Sequence, residues 1–468
     1  MSAITATNTA RPGMLRIPIA RGLLYVLVLS FPFFSIEPKI FRPDWWIGGA
    51  LIAVFALNVL TGGRVRIDPI GYSVLGFNAA VILSTAVNFW SWEAAQWVEF
   101  LTLWLQLVFA TLLYFALANL KLSVPQMRLL LKLWTGTAVV VAIYALYQAL
   151  ARKVGLPFAY VPYLHSEPSP WALEGGLGLA GYVRPSSVLR EPAYLGAYLL
   201  APLLVTAVLT RFRRDHVWLF KTREWNRASL LALLAGFVVS LALSGYITLL
   251  GVILTAALLS RPGRKLALGV IGIGVVAFIL TATVSLAMDL RLISAILEKF
   301  RRAMSTVILA EEIEEISIPG TSEGVRFQGV VLALSTWVHH PITGIGLNQL
   351  QFVGKSYSPE MLLSHVVETG YIWNIWLEVL VQSGALGLLF YGLIWFQALK
   401  MMWVVFRKSG EPWRWLGFAF FFVLLGTIIG GFMGGPFTFP LYWFYLGVAS
   451  IILQAWQREQ YANLNALS

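Results

Sequence analysis

Apolar runs recur along nearly the whole chain, broken by short polar stretches. A helix needs roughly 17–25 mostly apolar residues to cross a bilayer. That length places spans at 18–36, 45–62, 69–89, 97–119, 128–150, 193–210, 228–244, 246–260, 267–288, 374–399, 415–433 and 437–456. The pattern predicts an all-α, polytopic membrane protein of about 12 transmembrane helices. Two segments, 228–244 and 246–260, are short and meet at Ser244-Gly245, so a bent pair that does not fully cross is expected there. Residues 1–288 then hold helices 1–9, and 374–468 hold helices 10–12 with a polar tail. Two breaks are long: 151–192, rich in Pro, Gly and Tyr, and 289–373, the only stretch able to form a small extramembrane domain. The latter opens with an amphipathic helix from Leu290 to Ile313, expected to lie on the membrane surface.

Composition excludes an ordinary soluble domain. Hydrophobic residues make up 58% and charged residues 12%, with mean hydropathy +0.75, against roughly 45–50% and about 25% in soluble proteins. There is no cysteine, so packing must hold the fold without disulfides. The polar start, Met1 to Arg21, runs into an apolar stretch with no small-residue cleavage pattern after it, which predicts a retained first helix. A net charge of +12 raises nucleic acid as a partner, and its distribution removes that reading. Threaded with the N-terminus inside, the inner segments hold 22 Lys and Arg against 5 Asp and Glu; the outer ones hold 12 against 17. Cytoplasmic loops of membrane proteins carry this basic excess. The expected orientation therefore has both termini on the cytoplasmic side and 289–373 on the outer side.

Chemistry concentrates in the two long outer breaks. In Val183 to Pro192, Arg184, Arg190 and Glu191 gather where the chain returns to the membrane. Guanidinium forks and the free N–H groups of a helix start suit phosphate oxygens; an interfacial cluster anchoring the helix end is the equal alternative. Next, Arg326 opens an apolar helix that ends at His339-His340-Pro341-Ile342-Thr343-Gly344-Ile345-Gly346. Arg326 suits a phosphate clamp and His340 a proton acceptor or donor, although a helix end followed by a turn explains His340 better. Third, His365 and Glu368 precede Asn374, with Gly384 and Gly387 following. No HExxH or other metal-ligand spacing is present, and no GxSxG, GxGxxG or P-loop, so neither metal nor cofactor is expected.

In this order the three constellations resemble the O-antigen ligase and polymerase family of bacterial membrane proteins. Its members carry an Arg-containing segment after the fifth helix, then an Arg before a helix ending in HP-x-x-G-x-G. A His-Asn pair ahead of G-x-x-G completes the set. Arg184 to Pro192, then Arg326 with His340 to Gly346, then Asn374 with Gly384 and Gly387 correspond. One position departs: Trp373 stands where the family has His, so either His365 serves instead or catalysis here does not use that group. The resemblance implies a GT-C-like helical membrane fold and metal-independent transfer of a glycan from undecaprenyl diphosphate to a sugar acceptor on the periplasmic face. By it, His365, Arg326 and Glu191 are catalytic, and Arg184, Arg190, His340 and Asn374 bind substrate. The Arg190-Glu191-Pro192 turn looks more like the O-unit and exopolysaccharide polymerases than the ligases, whose acceptor is lipid A–core sugar. Chain-length regulators and flippases are expected protein partners. The rival from another class is a lipid-glycan flippase or transporter; against it stand the lack of an internal repeat and the near absence of charge within the spans.

Overall fold

The structure is a computed structural model that describes residues 18–34, 42–159, 184–189, 191–212, 219–220, 222–287, 294, 322–357 and 372–467. Those residues form helices without β-sheet. In chain order they are α1 (Pro18–Ser30), α2 (Pro43–Leu60), α3 (Pro69–Asn88), α4 (Ala94–Ala118), α5 (Val124–Val154), α6 (Pro192–Phe212) and α7 (Arg223–Val239). Then come α8 (Leu243–Leu259), α9 (Arg261–Ala287), α10 (Ser322–His339), α11 (Leu350–Tyr357), α12 (Ile375–Lys408), α13 (Trp413–Gly431) and α14 (Pro440–Leu467).

Each of the twelve expected apolar segments coincides with a helix, and α10 and α11 lie between the ninth and tenth. Among the described residues, eight helices are long and apolar enough to cross a bilayer, and α1 and α8 are shorter apolar helices. The chain is a multi-pass membrane protein. Local chemistry sets many of the boundaries. Pro stands at or next to the first helical position of α2, α3 and α5, where its missing N–H costs nothing. Asp68 caps α3 by accepting the Gly71 N–H at 2.8 Å. Capping boxes start α4 (Glu93, Gln96) and α5 (Ser123, Gln126), and left-handed Gly155 ends α5.

The two short helices are separate, and the break between them lies earlier than expected, at Ser240 to Ala242 instead of Ser244-Gly245. Leu241 carries the turn at φ 45°, and Ser240 Oγ supports it by accepting the Ala242 N–H at 3.3 Å. Gly245 is needed for packing: an added Cβ would stand 3.0 Å from the Phe237 ring. The surface helix expected over Leu290 to Ile313 falls outside the described residues, apart from helical residue 294.

Helix α6 is central, with 78% of its apolar window buried, whereas 18% of α9 is buried. The core is aromatic around Trp134, whose ring meets Phe444 edge-on at 5.7 Å. Successive long helices alternate in direction, so their ends sort to two ends of the bundle. One end gathers the close of α1, the α3–α4 junction, the start of α6, the start of α12 and the α13–α14 junction. The other gathers Arg66, Asn119, Leu122, Gln457 and Arg458, linked by hydrogen bonds such as Arg66 N–H to Asn119 Oδ1 at 2.8 Å and Arg458 Nη2 to Leu122 O at 3.2 Å.

Candidate functional site

The segment leading into α6 is irregular backbone sunk into a helical bundle, where every backbone polar group needs a partner. Gln148 of α5 supplies two: its Oε1 accepts the Ser187 N–H at 2.7 Å, and its Nε2 donates to Ser187 O at 3.0 Å. Ser187 Oγ donates to Val141 O at 2.8 Å. These bonds hold Ser187 at φ 56°, a conformation a non-glycine residue keeps only when its surroundings dictate it. Ser186, Ser187 and Leu189 are buried. Arg184 is half-buried, and its carbonyl accepts Arg152 Nη1 at 2.8 Å. Glu191 is half-buried too, and its carbonyl accepts the Leu195 N–H at 3.2 Å as α6 begins. Arg190 lies outside the described residues.

The two glycine motifs, some forty residues apart, interlock. Helix α12 breaks at Gly384 (φ 65°, ψ −170°). In a continuous helix the N–H groups of Ala385 and Leu386 would bond to Val381 and Gln382. Here Ala385 donates to Pro341 O at 2.9 Å and Leu386 to Ile342 O at 3.3 Å. The freed carbonyls of Val381 and Gln382 accept instead from Ile345 N–H at 3.0 Å and Gly346 N–H at 3.1 Å. The HP-x-x-G-x-G turn is thus spliced into the backbone ladder of α12. Side chains of α3 close the joint: Ser84 Oγ donates to Gln382 O at 2.8 Å and Asn88 Nδ2 to Gly344 O at 3.0 Å. Glycine is obligatory at both faces. A Cβ on Gly344 would stand 2.5 Å from Val381 O, and one on Gly384 would overlap Ile342 O.

Past the turn, the chain is tied to α4: Gln349 Nε2 donates to Gln96 O at 3.1 Å and Asn348 Nδ2 to Glu99 Oε2 at 2.8 Å. A small second core of Leu332, Ala333, Ile345, Leu350, Ile372 and Val381 seats α10 and α11 on the start of α12. His340 Nε2 bonds to the Tyr357 hydroxyl at 3.0 Å, and His339 stacks on the same ring at 4.5 Å. Burial, then the adjacent His339, holds the His340 pKa below its ordinary value.

Asn374 is the N-cap of α12, its Oδ1 accepting the N–H groups of Trp376 (3.0 Å) and Leu377 (3.1 Å). Trp373 packs on the second core and against the turn at Gly434. From there an aromatic path reaches α6: Tyr442 beside Gly435, Tyr442 to Phe439 at 5.2 Å, Phe439 to Phe34 at 4.6 Å, Phe34 to Tyr194 at 5.4 Å. The segment 184–192, the spliced turn and Trp373-Asn374 therefore share one end of the bundle. Arg326 lies in the first turns of α10, with its side chain outside the described residues; all of His365 lies outside them. Among the described residues no three His, Asp or Glu side chains gather as metal ligands would.

One residue gained a place that the sequence had not suggested. Glu378, in the first turn of α12, accepts Gln382 Nε2 on Oε1 at 3.3 Å, while its Oε2 is buried without a partner among the described residues. Its signal was an acid inside an otherwise apolar span.

Residues 228–392 match the model of the family described as O-antigen ligase. That stretch contains Arg326, the spliced turn, Asn374, Glu378 and the Gly384 break. No curated protein matches the chain.

Proposed function

We propose that this chain, a member of the O-antigen ligase family through residues 228–392, moves a glycan from undecaprenyl diphosphate to a sugar hydroxyl on the periplasmic face of a bacterial inner membrane. The observation that carries the reading is the convergence on one bundle end of three segments far apart in sequence: 184–192, 340–346 and 374–387. In the proposed step the acceptor oxygen attacks C1 of the donor sugar. The bond from C1 to the diphosphate oxygen breaks, its electron pair leaves with the diphosphate, and the hydroxyl proton passes to a base.

Arg184, Arg190 and Arg326 are assigned to the diphosphate, where charge builds as the bond breaks. His365, Glu191 and Glu378 are the base candidates; Glu378 joins the first two because its buried oxygen needs a donor. His340 and Asn374 are assigned to positioning, since one bonds Tyr357 and the other caps α12. All twelve apolar helices span the bilayer in this reading. The basic excess of the end bearing Arg66 and Arg458 supports turning that end to the cytoplasm.

Polymerase is favoured over ligase by the Arg190-Glu191-Pro192 turn. Deleting the gene and analysing surface polysaccharide separates the alternatives. Loss of polymer with single repeats retained is the expected result. Polymer stranded on the carrier lipid means ligase, and glycan trapped on the cytoplasmic face means flippase. In the same strain, an Arg326→Lys copy should restore less than about a tenth of polymer synthesis at normal expression, because one compact charge replaces a bidentate fork.

A further inference from the structure

At the other end of the bundle from these motifs, α6, α7 and α9 enclose a cavity of about 150 Å³. On α6 its lining begins at Ala207, well over half of the helix away from Pro192, which separates the cavity from the 184–192 segment by about 20 Å. Arg211, Arg223 and Arg227 line its mouth. All three are solvent-exposed, and none forms an ion pair among the described residues. No acid is among the described residues that line the cavity, so the three like charges there repel one another, which an anion between them would reverse. The Thr210 hydroxyl, which also lines the cavity, is buried without a partner among the described residues. Deeper in, the wall is apolar: Leu230, Leu266, Val270 and Ile273.

We infer that this cavity is a binding site for an anionic glycerophospholipid, the arginines holding the phosphodiester and the apolar wall an acyl chain. Guanidinium forks match phosphate oxygens. Basic pockets between helices on a cytoplasmic face suit anionic headgroups. Free phosphate shares the headgroup chemistry, but the surroundings favour a lipid. Leu268 and Ile271 on α9 are 72% and 48% exposed, as lipid-facing residues are, and Trp225 between two of the arginines is 65% exposed, as an interfacial anchor is. The inference rests on membrane embedding and not on the transfer reaction.

The full chain, purified in neutral detergent, is titrated with phosphatidylglycerol and with phosphatidylcholine, and retained lipid is counted by native mass spectrometry. Phosphatidylglycerol should be retained and phosphatidylcholine should not. Replacing Arg223 and Arg227 together by Ala should weaken phosphatidylglycerol binding at least about tenfold. Gly269→Leu should do the same by filling the cavity, since a Cβ there meets only Arg211 at 3.8 Å, and a helical Gly→Leu change favours the fold. Equal retention of the two lipids overturns the site, as does unchanged phosphatidylglycerol affinity in either variant. Displacement of phosphatidylglycerol by inorganic phosphate at matched concentration overturns the lipid assignment in favour of a free anion.

Discussion

Gly384 holds φ 65° and ψ −170° within a 34-residue helix, a backbone region essentially closed to residues with a Cβ. Its neighbours leave no room either, because the Ile342 carbonyl occupies the space a methyl would take. Gly384→Ala should therefore cost at least about 2 kcal/mol from backbone strain alone and displace the 340–346 turn. Gly392, on the same helix with nothing within 4 Å of an added Cβ, is the control: Gly392→Ala should be neutral or stabilising by up to about 1 kcal/mol. Thermal melting of the two variants beside the parent protein decides it, and coincident curves for Gly384→Ala would disprove the splice. The same scale shows why chemistry and architecture are hard to separate here. Asn374 is expected from the sequence to bind substrate, yet both its observed bonds cap a helix.

The α10–turn–α11 unit attaches to the bundle through backbone bonds, one small core and side-chain bonds to α3 and α4, while the His340–Tyr357 contact ties the end of α11 to the end of α10. Because the His340 pKa is lowered by burial, a unit with α11 lifted off binds more protons than the closed one at pH values between the lowered pKa and the ordinary 6.5. The closure of α11 on α10 is then strongest above about 6.5 and weakens as pH falls through the lowered value. Hydrogen exchange of α11 amides should be faster at pH 5 than at pH 7.5 relative to an unstructured reference, and His340→Gln should flatten the difference. At this scale the sequence was informative where physics is local. Apolar run length located twelve helices, though it cut α5 to 128–150, whereas the Ser123–Gln126 box and Gly155 extend it to Val124–Val154. The break at Leu241 was misplaced because no glycine announces its positive φ. The splice was illegible: nothing at Gly344 or Gly384 says that backbone from the other segment fills the space of each missing side chain. Nor could periodicity show that Gln148 braces a segment nearly forty residues downstream.

Taken whole, the molecule has two unlike ends: one carrying the interlocked motifs, the other rich in Lys and Arg. Only one orientation satisfies the preference of basic loops for the cytoplasm. A reporter fused after Arg214 should read cytoplasm and one fused after Lys355 periplasm; reversal of the pair would overturn the orientation. The second core also bears on descent. Leu350 and Val353 of α11 and Ile372 just before α12 all pack in that core, so the described residues on either side of 358–371 are anchored to one platform. Lengthening a stretch pinned at both ends costs only about 0.6 kcal/mol per doubling. Differences in length between those two anchors can therefore accumulate from lineage to lineage without moving α11 or the start of α12.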